Sequence, residues 1–153
     1  MIRDHRGQVI ASCSNLVHQQ LCSNDIEAMA TACALSFALE VGVKRAILEG
    51  DSLNVIKGLM KEETMLVPLG LLIEDAKRLS HSFDELCYSH TKRECNVLAH
   101  NLARYALSIP NFVVWMEDVP SQFRNVLQAD SVGLLGYTGC NLNPTHIYMC
   151  VCV

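Results

Sequence analysis

The segment Arg45–Ser52 begins with a short apolar run that ends at Gly50. Asp51 and Ser52 follow directly. A helical pattern of apolar residues begins directly after Ser52. This order predicts a buried strand over Arg45–Gly50 that carries the carboxylate of Asp51 at its carboxyl end. In open α/β sheets, ligands and chemistry collect at that end, because loops hold polar groups together there while the sheet stays rigid. Asp51 is therefore the first candidate functional residue.

Two candidate acids also have a purely structural interpretation. An Asp-Ser pair directly before a helix is a typical N-cap, and a helix is predicted over Leu53–Met60, immediately after Asp51. Glu27 lies near the start of a helix predicted over Asn24–Val41. There it completes a capping-box pattern with Asn24, three residues before it. The sequence alone leaves the capping and functional roles of both acids open.

The remaining periodicities predict a mixed α/β domain. Alternating apolar residues mark strands, and apolar residues spaced three or four apart mark helices. The order is a hairpin, a helix, the central strand, two helices, a strand and a last helix. The hairpin strands are Met1–Asp4 and Gln8–Ser14, the later strand is Glu85–Thr91, and the later helices begin at Leu53, Pro68 and Asn96. This order calls for a mixed sheet with helices packed on its faces.

The composition changes after Asp130. Glycine, asparagine and proline break every period there, and the chain then ends in the apolar run Ile147–Val153. We therefore expect one domain over residues 1–129 and a disordered or loosely packed tail over residues 130–153. The alternative is that Ile147–Val153 supplies a missing strand to an open sheet edge, because its residues favour β-structure.

Composition and charge limit the classes of function. Half of the 153 residues are apolar, which suits one domain with its own core. The net charge of −4 argues against a broad positive surface, so any binding to nucleic acid must be local. The eight cysteines include no CxxC pair, which favours reduced thiols in an intracellular protein over disulfides or a zinc site. Neither a signal peptide nor an apolar run long enough to span a bilayer is present.

A third candidate lies on the last predicted helix. His100 follows Asn96 by one turn and lies beside the helix face that docks on the sheet. Such a histidine is either a surface residue satisfied by its neighbours or a residue that binds metal or moves protons. Glu27 and Asp51 are stronger candidates as a pair than alone. If the helix Asn24–Val41 packs across the strand Arg45–Gly50, both carboxylates lie over one strand end, where they would bind Mg²⁺.

Several segments together resemble the type 1 ribonuclease H domain. They are the hairpin Ile2–Ile10, the first helix with Glu27-Ala28 and Ala34, the strand end Leu48–Ser52, and Arg93–Asn96 running into Ala99–Ala103. They look most like the plant group related to the ribonuclease H region of non-LTR retrotransposon reverse transcriptases. The stretch Val114–Pro120 is similar to the segment that often follows the domain in that group. The resemblance covers residues 1–129.

The resemblance implies a ribonuclease H-like α/β fold and an endonuclease that cuts the RNA strand of an RNA–DNA hybrid. Two Mg²⁺ or Mn²⁺ ions held by four carboxylates would act in such an enzyme. Glu27 and Asp51 match two of the four positions and are the expected metal ligands, and His100 stands at the fourth. By the resemblance, the first carboxylate belongs to a central first strand that precedes the hairpin in sequence and lies between the hairpin and Arg45–Gly50 in the sheet, and we expect this chain to start too late to contain it. We therefore expect a partial domain with Glu27, Asp51 and His100 as catalytic residues and impaired hydrolysis.

The resemblance also implies how a substrate would be held. Hybrid recognition would rest on 2′-hydroxyl contacts, stacking and a few phosphate contacts. The candidate substrate-binding residues near the expected site are His90, Lys92, Arg93, Asn96 and Arg104. Solvated loop and helix faces explain exposed basic residues equally well. The alternative function is a noncatalytic nucleic-acid-binding or interaction domain, or a fragment from an incomplete gene model, and in each case we expect a monomer without membrane contact.

Overall fold

The computed structural model describes residues 1–17, 21–61, 68–129 and 146–152. The strands are β1 (Ile2–Arg3), β2 (Val9–Ser14), β3 (Arg45–Gly50), β4 (Glu85–His90), β5 (Val113–Met116) and β6 (Ile147–Val151). The helices are α1 (Ser23–Glu40), α2 (Leu53–Met60), α3 (Pro68–Ser80) and α4 (Val97–Tyr105). The described strands form one mixed sheet in the order β4-β3-β6-β1-β2-β5, which confirms the predicted mixed sheet flanked by helices. None of the described helices is long and apolar enough to cross a membrane.

β6 lies in the middle of the sheet, between β1 and β3. It runs antiparallel to β1 and parallel to β3, so that Met149 lies opposite Ile2 on one side and Leu48 on the other. The prediction of a loosely packed tail is therefore wrong for residues 147–151, and the alternative of a C-terminal strand is the one observed. The predicted tail spans residues 130–153. Of these, residues 130–145 and 153 lie outside the described part of the chain.

The apolar run Ile147–Val151 forms a strand of the sheet because each of its two faces packs against a hydrophobic cluster. Met149 and Val151 pack into the cluster beneath α1, α2 and α3. Cys150 and Cys152 belong to the second cluster, beneath α4. A strand that is buried on both faces is a continuous apolar run in sequence, which composition does not distinguish from an unpartnered tail.

The position expected for a missing strand is therefore filled. If that central strand were absent, the hairpin and β3, the two neighbours of that position, would be expected to have unpaired backbone groups. In the structure β6 forms ladders with both β1 and β3. This expectation of unpaired neighbours is wrong, because a segment distant in sequence satisfies the backbone donors and acceptors of both strands.

α1 begins earlier than predicted. Its first residue is Ser23, and Cys22 is the N-cap without a side-chain hydrogen bond. Asn24 thus lies inside the first turn, where its side chain accepts a hydrogen bond from the Ser52 hydroxyl. The predicted capping box of Asn24 and Glu27 does not form, because Glu27 is in the second turn, beyond the free N–H groups that a cap satisfies.

The cap of α2 is Ser52 and not Asp51. The Ser52 hydroxyl oxygen accepts a hydrogen bond from the Val55 N–H at 3.4 Å. Asp51 lies one residue before the cap, at the end of β3. Asp51 is therefore not the helix cap. The remaining interpretation is that its carboxylate is a functional group at the end of β3.

Two glycines have the left-handed conformation that their turns require. Gly7, in the β1–β2 turn, has a φ of 78°, and Gly42, just beyond α1, has a φ of 89°. In the first turn Asp4 Oδ1 accepts hydrogen bonds of 2.9 Å from the N–H groups of Arg6 and Gln8. The predictions of a tight turn at Gly7 and of a helix end at Gly42 are confirmed.

The buried thiol of Cys150 predicts a loss of stability at alkaline pH. Burial raises the pKa of Cys150 from 9.0 to about 12, and the thiol donates a hydrogen bond to Glu49 Oε2 at 3.3 Å. Because the folded state favours the protonated thiol, its contribution is complete below pH 9 and is lost as the pH rises towards about 12. We expect the free energy of unfolding to fall by up to about 1.4 kcal/mol per pH unit from this residue.

Urea denaturation between about pH 8 and about pH 11 measures this loss. A Cys150→Ala variant should show a flatter pH dependence than the wild type. Cys22→Ala removes an exposed thiol and should follow the wild-type curve. Parallel curves for the wild type and Cys150→Ala would contradict the prediction.

Candidate metal and nucleic-acid site

Three side chains meet at the carboxyl ends of β3 and β6. The register pairs Gly50 with Val151, so the next residues along these parallel strands, Asp51 and Cys152, are neighbours. Glu27 reaches the same place from α1. One oxygen from each acid and the sulfur of Cys152 all lie within 4.8 Å of one another. The sequence predicted that the two carboxylates converge over one strand end, and the structure brings them together.

The carboxylates are shielded from solvent. Glu27 is 6% exposed, and the side chain of Asp51 is 11% exposed. Asp51 Oδ1 is buried without a hydrogen-bond partner among the described residues. A buried polar atom without a partner costs about 1–3 kcal/mol, and more when it belongs to a charged group. A ligand that satisfies this oxygen would therefore bind favourably.

Cys152 links the strand ends to α4. Its thiol donates a long hydrogen bond of 3.7 Å to Asp51 Oδ2, and its sulfur lies 3.5 Å from His100 Nδ1. Burial, together with the charges of Asp51 and Glu27, raises the pKa of Cys152 from 9.0 to about 12. The thiol is therefore protonated at neutral pH when no cation is bound.

Sequence reasoning missed Cys152. The run Ile147–Val153 was assigned to the tail, so none of its cysteines was a candidate. The available signal was the alternation of the run, which places Cys150 and Cys152 on one face of a strand. Only the register with β3 shows that this face carries Cys152 to Asp51.

His100 faces the same cluster from α4. Burial, together with the charges of Arg93 and Arg104, holds the pKa of His100 below its usual value. The Arg93 guanidinium donates a hydrogen bond of 3.1 Å to His100 Nδ1. The ring is therefore neutral at neutral pH and presents the lone pair of Nδ1 towards Arg93 and Cys152.

Arg93 places a positive charge at the mouth of the site. Its Nε lies 3.6 Å from Asp51 Oδ2, and its side chain is 58% exposed. An ion pair with one exposed partner contributes only about 0–1 kcal/mol. The guanidinium therefore compensates part of the negative charge and can leave the site at little cost.

The predicted substrate-binding residues fall into two groups. Asn96 is buried, and its Nδ2 donates a hydrogen bond of 2.7 Å to the Val151 carbonyl. It therefore ties the start of α4 to β6 instead of facing a substrate. The four exposed residues of the set are His90, Lys92, Arg93 and Arg104. The first of these approaches the site directly, with Nε2 3.3 Å from the Asp51 carbonyl oxygen.

The donor atoms do not fit a pair of magnesium ions. Mg²⁺ prefers six oxygen ligands, and two neighbouring Mg²⁺ ions need several carboxylates to offset their repulsion. In the described part of the chain the cluster offers oxygen from Glu27 and Asp51, but sulfur from Cys152 and nitrogen from His100. Sulfur and imidazole nitrogen are ligands of softer cations.

Comparisons with known proteins agree with the fold. The sequence model of a family described as reverse transcriptase-like matches residues 1–106. The structure is similar to the crystal structure of RNase H1 from the halophilic archaeon Halobacterium salinarum NRC-1, with a TM-score of 0.52 and 31% sequence identity. That match covers 56% of this chain and 65% of the archaeal chain, so it spans less than two thirds of that relative. No curated protein matches the chain significantly.

Proposed function

Since the chain belongs to the reverse transcriptase-like family and forms a ribonuclease H-like domain, we propose that it binds RNA–DNA hybrids and hydrolyses their RNA strand slowly at most. The observation that carries this proposal is the convergence of Glu27 and Asp51 at the strand ends, next to exposed basic residues. The finer assignment, to the plant group related to non-LTR retrotransposon reverse transcriptases, rests on the sequence resemblance. The description of the matched family supports the relation to reverse transcriptases in general.

The exposed basic residues near the site suit a duplex that is recognised by shape. Lys92 and Arg93 lie in the segment between β4 and α4, where Arg93 begins a short 3₁₀ helix, and Arg104 lies on α4, one turn from His100. An A-like duplex offers phosphates and 2′-hydroxyls to such residues. Because the net charge is −4, we expect only a few phosphate contacts. With roughly three contacts, the affinity should fall with salt with a slope of roughly −3 on a double-logarithmic plot.

Two-metal hydrolysis needs more carboxylates than this site provides. The sulfur of Cys152 and the ring nitrogen of His100 stand where oxygen ligands would serve Mg²⁺ better. Mn²⁺ accepts nitrogen more readily than Mg²⁺ does, so residual cleavage should depend on Mn²⁺. The proposed function is therefore hybrid binding by a monomer, with slow or negligible turnover.

One observation favours the alternative of an interaction domain. Large apolar side chains are exposed on the edge strand β5 and in the segment that precedes it in the sequence. They are Leu107, Phe112, Val114 and Met116. An exposed apolar patch at a sheet edge is a typical protein contact surface. This alternative predicts a folded protein that does not bind nucleic acid.

The proposed function predicts that Arg93 contributes to hybrid affinity. Arg93→Ala should weaken binding of a labelled RNA–DNA hybrid by roughly threefold to tenfold and reduce the salt slope by about 1, as expected for one lost phosphate contact. Fluorescence anisotropy in the presence of a chelator measures both quantities. The matched control is Arg78→Ala, which removes the same charge from an exposed position on α3.

Competition with DNA duplex and RNA duplex tests the substrate class. The DNA duplex should compete least, because the proposed contacts need an A-like shape and 2′-hydroxyls. Equal losses for Arg93→Ala and Arg78→Ala would refute binding at this face. The absence of any hybrid binding by a folded wild type would favour the interaction domain.

A further inference from the structure

We propose that four side chains at this strand end form a site for one divalent cation of borderline softness, Zn²⁺ in character, in place of a pair of Mg²⁺ ions. The four ligands are Glu27, Asp51, His100 and Cys152. This inference goes beyond hybrid binding and does not require it, because it concerns the coordination chemistry of the free protein.

The donor types select the cation. Zn²⁺ is bound in four-coordinate sites by thiolate sulfur, imidazole nitrogen and carboxylate oxygen. Cys152, His100 and the two acids supply all three kinds of donor. A set that includes sulfur and nitrogen discriminates against Mg²⁺, which requires oxygen ligands in octahedral geometry.

The distances suit tetrahedral coordination. With a Zn–S distance of about 2.3 Å and Zn–N or Zn–O distances of about 2.0–2.2 Å, neighbouring ligand atoms lie roughly 3.3–3.7 Å apart. The Cys152 sulfur lies 3.5 Å from His100 Nδ1 and 3.7 Å from Asp51 Oδ2. Ligand atoms of Glu27, Asp51 and Cys152 all lie within 4.8 Å of one another, whereas His100 is not a member of that group and approaches it through Cys152. A rotation of the His100 side chain would bring the fourth ligand atom to the other three.

Two further observations point to a cation at this place. Asp51 Oδ1 is buried and has no hydrogen-bond partner among the described residues, although carboxylate oxygens accept strongly. The exposed guanidinium of Arg93 already contacts both Asp51 and His100, at 3.6 Å and 3.1 Å. Arg93 thus holds a positive charge where the cation would bind and competes with it.

Cation binding would also stabilise the folded state. The ligands come from α1, the end of β3, α4 and the end of β6. One ion would tie the C-terminal strand to three other elements, so binding free energy would add to the free energy of unfolding. The site therefore predicts a rise in melting temperature that does not depend on any activity.

A second cluster provides a built-in control. Glu85, Cys87 and His146 also place their ligand atoms within 4.8 Å of one another. Glu85 and Cys87 are exposed, and the Glu85 carboxylate is held by Arg45 at 2.7 Å. This cluster offers only one carboxylate, which is already paired. A Cys87→Ser variant therefore reports on the competing cluster without touching the proposed site.

Co²⁺ is the probe for the experiment, because thiolate coordination gives it a charge-transfer absorption. The reduced full chain is titrated with Co²⁺ at neutral pH without nucleic acid. We expect one equivalent to bind with that absorption and to raise the melting temperature. Cys152→Ser should abolish the absorption and weaken binding by more than about tenfold, whereas Cys87→Ser should leave both unchanged. Arg93→Gln should tighten binding, because it removes the competing cation.

Further variants and competitors keep each outcome decisive. Asp51→Asn retains the thiol and should weaken Co²⁺ binding, so it tests the site even if Cys152→Ser is less stable. Zn²⁺ should displace Co²⁺, and excess Mg²⁺ should not. The proposal is overturned if the wild type shows no thiolate absorption, if the absorption survives in Cys152→Ser, or if Mg²⁺ displaces Co²⁺. Hybrid binding measured with a chelator stays informative in each of these cases, so the two proposals fail separately.

Discussion

A chain that ends at residue 145 is expected to lose cooperative folding altogether. This truncation removes β6, which lies between β1 and β3 in the sheet. Both neighbours would lose their ladders with it, and the sheet would split into a β4-β3 part and a β1-β2-β5 part. The remaining pieces are too small to hold a core each, because isolated pairs of strands are marginal in water.

The energetic reason is the burial of β6 on both faces. Met149 is 1% exposed, and Tyr148, Cys150 and Val151 are buried as well. Truncating one buried Met to Ala typically costs about 2–5 kcal/mol. Removing four buried side chains and two strand ladders therefore exceeds the roughly 5–15 kcal/mol by which domains are stable.

Circular dichroism and urea denaturation of the truncated chain measure the effect. A graded variant, Met149→Ala, keeps the strand and should lower the free energy of unfolding by about 2–5 kcal/mol. Its matched control is Leu107→Ala, at a side chain that is 78% exposed, which should change stability by less than about 0.5 kcal/mol. If truncation left the melting temperature within a degree or two, as a loosely packed tail predicts, the central position of β6 would be refuted.

The second large effect is a gain of RNA cleavage when the softer ligands become carboxylates. The wild type should cleave RNA–DNA hybrids negligibly in Mg²⁺. The double variant Cys152→Asp, His100→Asp places four carboxylates around the strand end, with Glu27 and Asp51. Such an all-oxygen set suits Mg²⁺, and closely spaced divalent ions stabilise the attacking and leaving oxygens of phosphodiester hydrolysis.

We expect at least a hundredfold gain in the rate of hybrid cleavage over the wild type, which corresponds to about 2.7 kcal/mol of transition-state stabilisation. Four carboxylates without a cation repel one another, so the double variant should be less stable than the wild type in a chelator. Mg²⁺ should restore much of that loss and raise its melting temperature. This rise is a readout of metal binding that is independent of cleavage.

Controls separate the site from charge alone. Cys22→Asp adds a carboxylate at an exposed position and should give neither cleavage nor stabilisation by Mg²⁺. Adding Asp51→Asn to the double variant should abolish both. If Mg²⁺ stabilised the double variant without cleavage, this would support Mg²⁺ binding by the four carboxylates. It would count against the RNA–DNA hybrid as the substrate. Cleavage by the wild type that disappears in Asp51→Asn would show that a site containing sulfur and imidazole suffices for catalysis.

The sequence determined the elements whose signals are local. A short apolar run that ends at a glycine placed β3 and its terminal Asp51, and three- and four-residue spacing placed α2 and α4. The turn at Gly7 followed from the need for positive φ. The convergence of Glu27 and Asp51 was predicted on the premise that the helix before β3 packs across that strand. The inferences about single elements succeed because each depends on residues close together in the chain.

Tertiary structure decided the place of β6 and the nature of the site. The contact between Asp51 and Cys152 joins residues 101 positions apart, and no local pattern records which strand an apolar run will pair with. That choice depends on the whole sheet: β6 is stable where both faces are covered and both edges are paired, which only the assembled β1, β3 and helices provide. The same register brings a thiol to the two carboxylates, so the chemistry of the cluster was fixed by strand pairing and not by any motif.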